Sequence, residues 1–555
     1  MRELKGFGFT LAFETDTNKG FVVGNRELSE MPNDKSYDYV IAGAGSAGCV
    51  LASRLTEDEG CRVLLLEAGG TPRRPLVQAP GAAVELWDTE LDWAFRSEPQ
   101  PRLDGRRILL NRGKALGGSS VINFCLYVRG NRGDYDHWAQ LGNTGWGYDD
   151  VLPYFRRAEI NADHNDEWHG ADGPLRVENF REHNPLQDMY LEALEDLGVP
   201  RNPDFNGAKQ EGCGFYQGTI SDGRRFSVAD GYLARAENRP NLTIETGAHI
   251  ARVAMDGTTA IGIDYVVGSE AHRALAMQET ILAAGAIGSP HILLLSGIGP
   301  AKEISERGIQ SILDLKGVGR NLLDHIAKPS ITLVVKDPEK FKFEATTREE
   351  AIARFELDRT GPFASLQIET GAFVRLRQTD ADPSVQLFAG LTSAERMRHT
   401  QPPGLSLSGY VCRPQSTGTV RLATASPFDR PLIDPEYFAF ADDLDRHIEL
   451  VEFNTSIANH KVFDSAREGV IAPSSTREDI VAKIRRQAST TWHQSSTCRM
   501  GIDENAVVTP DLRVKGVERL RVCDASILPT MVSGNLNAPT IMVAEKGADL
   551  IREQM

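Results

Sequence analysis

The chain has 555 residues, more than a single hydrophobic core usually serves, so at least two domains are expected. A net charge of −16 and a pI near 5.3 argue against nucleic acid or an anionic membrane as the main partner. No apolar run reaches the roughly 18 residues of a membrane span, and the scattered cysteines contain no CxxC pair. Seven such cysteines, Cys498 among them, fit free thiols in a reducing compartment. A cytoplasmic protein is therefore expected, with peripheral membrane attachment left open.

Residues 1–36 mix Arg2, Glu3, Lys5, Glu14, Asp16 and Lys19 with apolar residues. They lack the basic, apolar, then small-residue order of a secretory signal and read as an N-terminal extension. Residues 37–42 form a short, mostly apolar run that reads as a buried parallel strand. It leads straight into Gly43, Gly45 and Gly48, then a segment with helical spacing, then a second apolar run ending in Glu67. Gly43 allows the turn off the strand, Gly45 lets the backbone approach a pyrophosphate, and Gly48 lets helix and strand pack closely. The helix N-terminus offers unpaired N–H groups and partial positive charge to phosphates. Glu67, 19 residues after Gly48, is placed to hydrogen-bond an adenosine ribose. The unit specifies a dinucleotide without choosing between NAD and FAD.

Residues 111–123, with Arg112, Gly117, Gly118, Ser119 and Asn123, make a second glycine-rich loop suited to a flat or anionic ligand. Near 280–290 another buried strand ends in small residues, including Ala284 and Gly285, and runs into a helix. Residues 520–526 read as a strand into a loop that carries Asp524 and Ala525. A terminal helix begins at Ala538, with Pro539 in its first turn, where a missing N–H costs nothing. Units of one design thus return along the chain, so one α/β sheet is visited several times and a second domain is threaded between. Alternating residues at 384–388 and 418–422 read as strands of that second domain.

These motifs closely resemble the glucose–methanol–choline family of flavoproteins. The opening unit and residues 112–120, 285–299, 318–325, 493–501 and 524–537 match its patterns in order, from Tyr37 to near the C-terminus. The resemblance implies an α/β (α+β overall) fold. A discontinuous Rossmann-like FAD-binding domain would take 37–155, 225–330 and 489–555. A substrate domain with a largely antiparallel sheet would take 156–224 and 331–488. FAD would be held by the residues already named together with Ser46, Ala47, Ala68, Val253, Asn535 and Thr540. Some relatives attach FAD through a His two residues before the position of Arg112; Leu110 stands there, so non-covalent FAD is expected. Residues 531–542 look most like choline dehydrogenases and related bacterial alcohol dehydrogenases.

The resemblance also implies a reaction, the oxidation of a primary alcohol to the aldehyde. Hydride passes to flavin N5 while a base takes the hydroxyl proton, and His is the usual base near neutral pH. His493 takes that role by analogy, and Asn537 would hydrogen-bond the substrate oxygen. The helix that follows Asn537 would favour negative charge on reduced flavin. Glu369 is a carboxylate suited to a cationic substrate such as choline, although a structural acid is the plainer reading. No metal site is expected. A dehydrogenase is favoured, with its acceptor (quinone, dye or dioxygen) and any homo-oligomer left open. The alternatives are an oxygen-using oxidase, a non-redox relative of hydroxynitrile lyase or fatty acid photodecarboxylase type, and a non-catalytic flavin carrier.

Overall fold

The computed structural model describes residues 22–23, 26–27 and 35–553, apart from 74, 182, 328, 342–346, 367, 393–401 and 473–475. Most of the expected N-terminal extension lies outside the described residues. The apolar runs that frame the glycine motifs do form adjacent parallel strands, Lys35–Ala42 beside Val63–Glu67. Every residue of Val63–Glu67 is buried, which explains why the run is continuously apolar and not alternating. Leu242–Thr246 adds a further parallel strand outside it, and Glu270–Leu282 pairs parallel with Lys35–Ala42 on the other side. The last three residues of Glu270–Leu282 also take Leu520–Val522 in parallel on the opposite edge. An antiparallel extension, Thr259–Val267 and Ala248–Asp256, completes seven strands.

A second sheet has eight strands, and every pairing in it is antiparallel. Its centre is Thr370–Val374, Val385–Thr392 and Gly404–Val411. The short strands Ile326–Ala327 and Ser489–Thr490 form one end of the same sheet. Because both lie next to the 318–325 and 493–501 motifs, this pairing carries those motifs to the boundary between the two sheets. Among the described residues no helix is long and apolar enough to cross a membrane. All seven cysteines are buried and free.

Buried ions fasten distant parts of the chain. Glu545, in the terminal helix Asn537–Arg552, has no exposed surface and accepts from Arg54 Nε (2.9 Å), Arg157 Nε (2.7 Å) and Tyr232 Oη (2.5 Å). This joins the last helix to the first, Ser46–Leu55. A second cluster lies beside the small sheet that includes Glu159–Asn161. Glu159 accepts from Arg129 Nη2 at 2.7 Å and meets His169 Nδ1 at 2.7 Å, while His169 Nε2 meets Asp204 at 2.9 Å. Removing the shared carboxylate, Glu545 or Glu159, would strip its buried or half-buried cationic partners of their counter-charge, which is the costly case.

His169 is buried, which disfavours its charge, but bonds to Asp204 and Glu159 outweigh this and raise its pKa to about 9. Burial also opposes ionisation of Glu159, yet Arg129 and His169 bring it down to about 2. A raised His pKa contributes stability that is complete below the unfolded value of 6.5 and is lost as pH climbs through about 9. The thermal midpoint is therefore expected to fall between these two pH values, and His169→Gln to flatten that limb while lowering the midpoint overall. Melting curves across the range check this; an unchanged slope in the variant would contradict it.

Candidate active site

One cavity of about 1020 Å³ lies between the two sheets. That is the upper end of the range for small-molecule and cofactor sites. Four parallel strands end at it: Gly43 and Gly45 follow the first, Glu67 and Ala68 close the second, Ala284 and Gly285 follow the third, and Asp524 and Ala525 follow the fourth. Ligands of open α/β sheets bind outside the carboxyl ends of the strands for this geometric reason. Three helices, Ser46–Leu55, Gly285–Leu295 and Asn537–Arg552, also start at the cavity wall, which concentrates unpaired N–H groups there.

The glycines act as the spacing suggested. A Cβ on Gly48 would stand 1.9 Å from the Gly43 carbonyl oxygen, so helix and strand touch there. A Cβ on Gly118 would stand 2.6 Å from Gly45 Cα, because the second glycine-rich loop lies directly on the first. Gly45 itself faces open space, with nothing within 4 Å of a Cβ built on it. Glu67 accepts from Ala44 N–H (3.0 Å) and Gly69 N–H (2.8 Å) and still lines the cavity, with lone pairs left for a hydroxyl. Burial raises its pKa to about 7 against the pull of these backbone donors.

Ser46, Ala47, Arg112, Ser119, Asn123, Asn535 and Thr540 line the cavity as well. Five expected cofactor residues do not. Gly48 and Gly117 stand behind the wall, the latter donating its N–H to Ala44 O at 2.8 Å. Ala538 and Pro539 are turned into the core of the terminal helix. Val253 is buried in its strand, and its N–H donates to Ser296 Oγ at 2.8 Å. Arg112 reaches across the chain, donating to the Trp492 carbonyl and to Gln494 Oε1. Burial lowers its pKa to about 10, which still leaves it cationic, and its Nε is buried without a partner.

The end of the cavity that holds His493 is built on residues 490–496. Trp492 has φ of 62°, a left-handed conformation that a bulky residue rarely adopts. It is held by Thr490 Oγ1, which accepts its N–H at 2.7 Å, by Arg112 on its carbonyl, and by Asn111 Oδ1, which accepts from its indole at 3.0 Å. The next residue, His493, donates its backbone N–H to buried Asp324 at 2.9 Å. Its Nδ1 lies 2.9 Å from His325 Nδ1 and 3.1 Å from Thr491 Oγ1. Its Nε2 lies 3.3 Å from the side-chain nitrogen of Asn535. Burial first, then His325 and Arg112, hold His493 well below the usual imidazole range, so it is neutral at pH 7.

The expected partner of His493 therefore changes. Asn535, foreseen as a cofactor residue, faces the imidazole. Asn537 points toward the first helix, where its Oδ1 accepts from Ser46 Oγ at 2.7 Å. The two asparagines are two positions apart, Asn535 in the turn before the helix and Asn537 its first residue. Glu369, by contrast, is outside the cavity: it is buried and accepts from Ser365 Oγ and from Gln187 Nε2 at 2.8 Å. It braces the antiparallel sheet. Sequence reasoning missed the aromatic wall of Trp87, Phe124 and Trp492, whose rings lie 4.4–5.8 Å apart. Three residues so far apart in the chain left no pattern to read.

Family models for GMC oxidoreductase match residues 37–327 and 414–544. The chain belongs to the GMC oxidoreductase family. It is 40% identical over 552 residues to the mitochondrial choline dehydrogenase of Homo sapiens, covering 96% of this chain and 93% of that one. It is 39% identical over 529 residues to an alcohol dehydrogenase [acceptor] of Pseudomonas putida, covering 93% and 95%. Its fold matches a formate oxidase variant of Aspergillus oryzae, an FAD protein, with a TM-score of 0.87 at 27% identity, covering 94% and 99%. This family member is an FAD-dependent oxidoreductase acting on CH–OH donors. The cavity fits the cofactor on its own evidence: an orphaned cationic nitrogen at Arg112, glycines open to the lumen, and three converging helix N-termini. Because a Cβ on Gly48 would meet the Gly43 carbonyl, Gly48→Ala should cost about 1–3 kcal/mol. It should also lower bound flavin per chain. Thermal melts and the flavin-to-protein absorbance ratio measure both, and wild-type values in the two would count against the close packing.

Proposed function

We propose that this oxidoreductase oxidises a neutral primary alcohol to the aldehyde, with His493 as general base and Asn535 holding the substrate oxygen. The observation that carries this is the pairing of a neutral imidazole Nε2 with an amide nitrogen 3.3 Å away at one wall of the cavity. An oxygen placed between them reaches both, giving up its proton to His493 Nε2 while accepting from Asn535. FAD, when bound, supplies the hydride acceptor. Leu110 is a fully buried aliphatic residue without a nucleophile, which supports non-covalent cofactor binding. The nucleotide domain would be assembled from 37–155, 225–330 and 489–555, and the substrate domain from 156–224 and 331–488.

The substrate class follows from charge. Among the described residues, the carboxylates on the cavity wall are Glu67, Asp92, Asp429 and Asp524, and each already accepts from protein donors. Asp324, next to His493, is turned away and accepts from Thr490, Gln494 and Tyr437. The aromatic wall would stack on an aryl or alkyl group. It would also attract an ammonium through its ring faces, but each wall carboxylate is already engaged by protein donors. The likeness to dehydrogenases supports a dehydrogenase, and the buried free thiols support a reducing cytoplasmic setting.

Anaerobic mixing of the FAD-loaded protein with benzyl alcohol, 1-hexanol and choline should bleach the flavin fastest with a neutral alcohol. Faster bleaching by choline would reverse the substrate class, and no bleaching by any of them would remove the base assignment. His493→Ala is expected to slow bleaching about 10²–10⁴-fold. Asn535→Ala should slow it more than Asn537→Ala, whose effect should fall on flavin retention. The opposite ranking would restore Asn537 as the partner.

A further inference from the structure

His493 does not stand alone. It lies in a line of hydrogen bonds whose two ends are both anchored on the strand Gly404–Val411 or the residue just beyond it. At one end Tyr410 donates its hydroxyl to Gln386 Oε1. Gln386 Nε2 then donates to Asn535 Oδ1 at 3.3 Å, which leaves the Asn535 nitrogen facing His493 Nε2. At the other end His325 Nε2 lies 2.7 Å from the Cys412 carbonyl, and His325 Nδ1 lies 2.9 Å from His493 Nδ1.

The directions in this line are forced. A carbonyl only accepts, so His325 Nε2 must carry a proton. His325 is fully buried, and burial lowers its pKa to about 3, so it carries just one proton and its Nδ1 is bare. Two bare nitrogens cannot share a 2.9 Å contact, so the proton between the rings belongs to His493 Nδ1. Thr491 gives the same answer: its hydroxyl donates to the His325 carbonyl at 3.0 Å, leaving a lone pair toward His493 Nδ1. The lone pair of His493 is then on Nε2, where Asn535 presents a donor.

We propose that His325 is a positioning residue that fixes the tautomer of His493, so that a lone pair, and not an N–H, meets the substrate hydroxyl. This rests on the reading of His493 as base and adds the device that keeps it usable. Without the His325 acceptor only the longer contacts to Thr491 Oγ1 and Asn535 hold the proton on Nδ1, so a share of the neutral imidazole carries it on Nε2, where it would block proton removal. Stacking of His325 on Tyr410, with ring centroids 4.2 Å apart and planes 17° apart, holds the acceptor in place. When the substrate proton arrives on Nε2, the Nδ1 proton stays bonded to His325, so the imidazolium forms with both nitrogens engaged and no further transfer is required.

Nitrogen-15 NMR of the FAD-loaded, histidine-labelled protein tests the proposal at neutral pH without any substrate. The His493 signals, identified by their loss in His493→Asn, should show a protonated Nδ1 and a bare Nε2. A proton on Nε2 in the wild type would overturn the proposal outright. In His325→Leu the two tautomers should mix, and anaerobic bleaching by benzyl alcohol should slow by about tenfold or more with its half-saturation concentration unchanged. His325→Gln keeps an acceptor for His493 and a donor for Cys412 and should restore part of the rate. A pure Nδ1-protonated spectrum in His325→Leu would show that other groups set the tautomer. Should that variant fail to fold, the wild-type spectrum still decides. Failure of the base assignment is separable, because it would appear as full activity in His493→Ala with the tautomer spectrum intact.

Discussion

Four parallel strands and three helices deliver their polar ends to one cavity, and the rest of the molecule is arranged around that convergence. A strand that stops leaves its last carbonyl and the following N–H groups unpaired, and a helix that starts leaves several N–H groups unpaired. Gathering these ends in one place makes an anion site from backbone alone, before any side chain is chosen. The side chains then satisfy what the ligand leaves over. Asp524 accepts from Gly285 N–H at 2.8 Å and from Ser526 N–H at 2.7 Å, tying the end of the fourth strand to the start of a helix. Glu67 does the same between the first two strand ends.

The antiparallel sheet closes the cavity from the other side and supplies the groups that set the chemistry. Gln386 and Tyr410 come from its neighbouring strands, and His325 and His493 flank its two short end strands, Ile326–Ala327 and Ser489–Thr490. Pairing of those short strands brings residues 168 positions apart into contact. A strained backbone at Trp492 and a buried carboxylate at Asp324 then fix the orientation of the loop between them. His493 is thus rigid because it is built on a sheet edge and over-determined by its neighbours.

Legibility in the sequence followed the range of the interaction. The βαβ unit was readable because its strand, glycines, helix and acid are consecutive, and each answers a local steric need. Gly48 shows this well: its missing Cβ is demanded by a carbonyl five residues earlier. His493 was recognisable from its motif, but the reading placed its partner two residues too late. Nothing local separates Asn535 from Asn537, since both are the same residue type at the start of one helix. Glu369 was open to two readings for a similar reason, because the sequence shows a carboxylate but not which way it points.

The sequence by itself determined the kind of ligand and the parts that receive it, because glycine spacing and strand endings are properties of the backbone that no distant residue can alter. The tertiary structure decided which polar groups share the cavity wall with His493, and therefore the identity of the amide beside it and the turning away of Glu369 and Asp324. It also decided the hydrogen-bond partners of His493, since these include a histidine that is itself held by a carbonyl from another segment. Hydrogen-bond direction is a property of the assembled network, and only folding brings its members within 3 Å or so of one another.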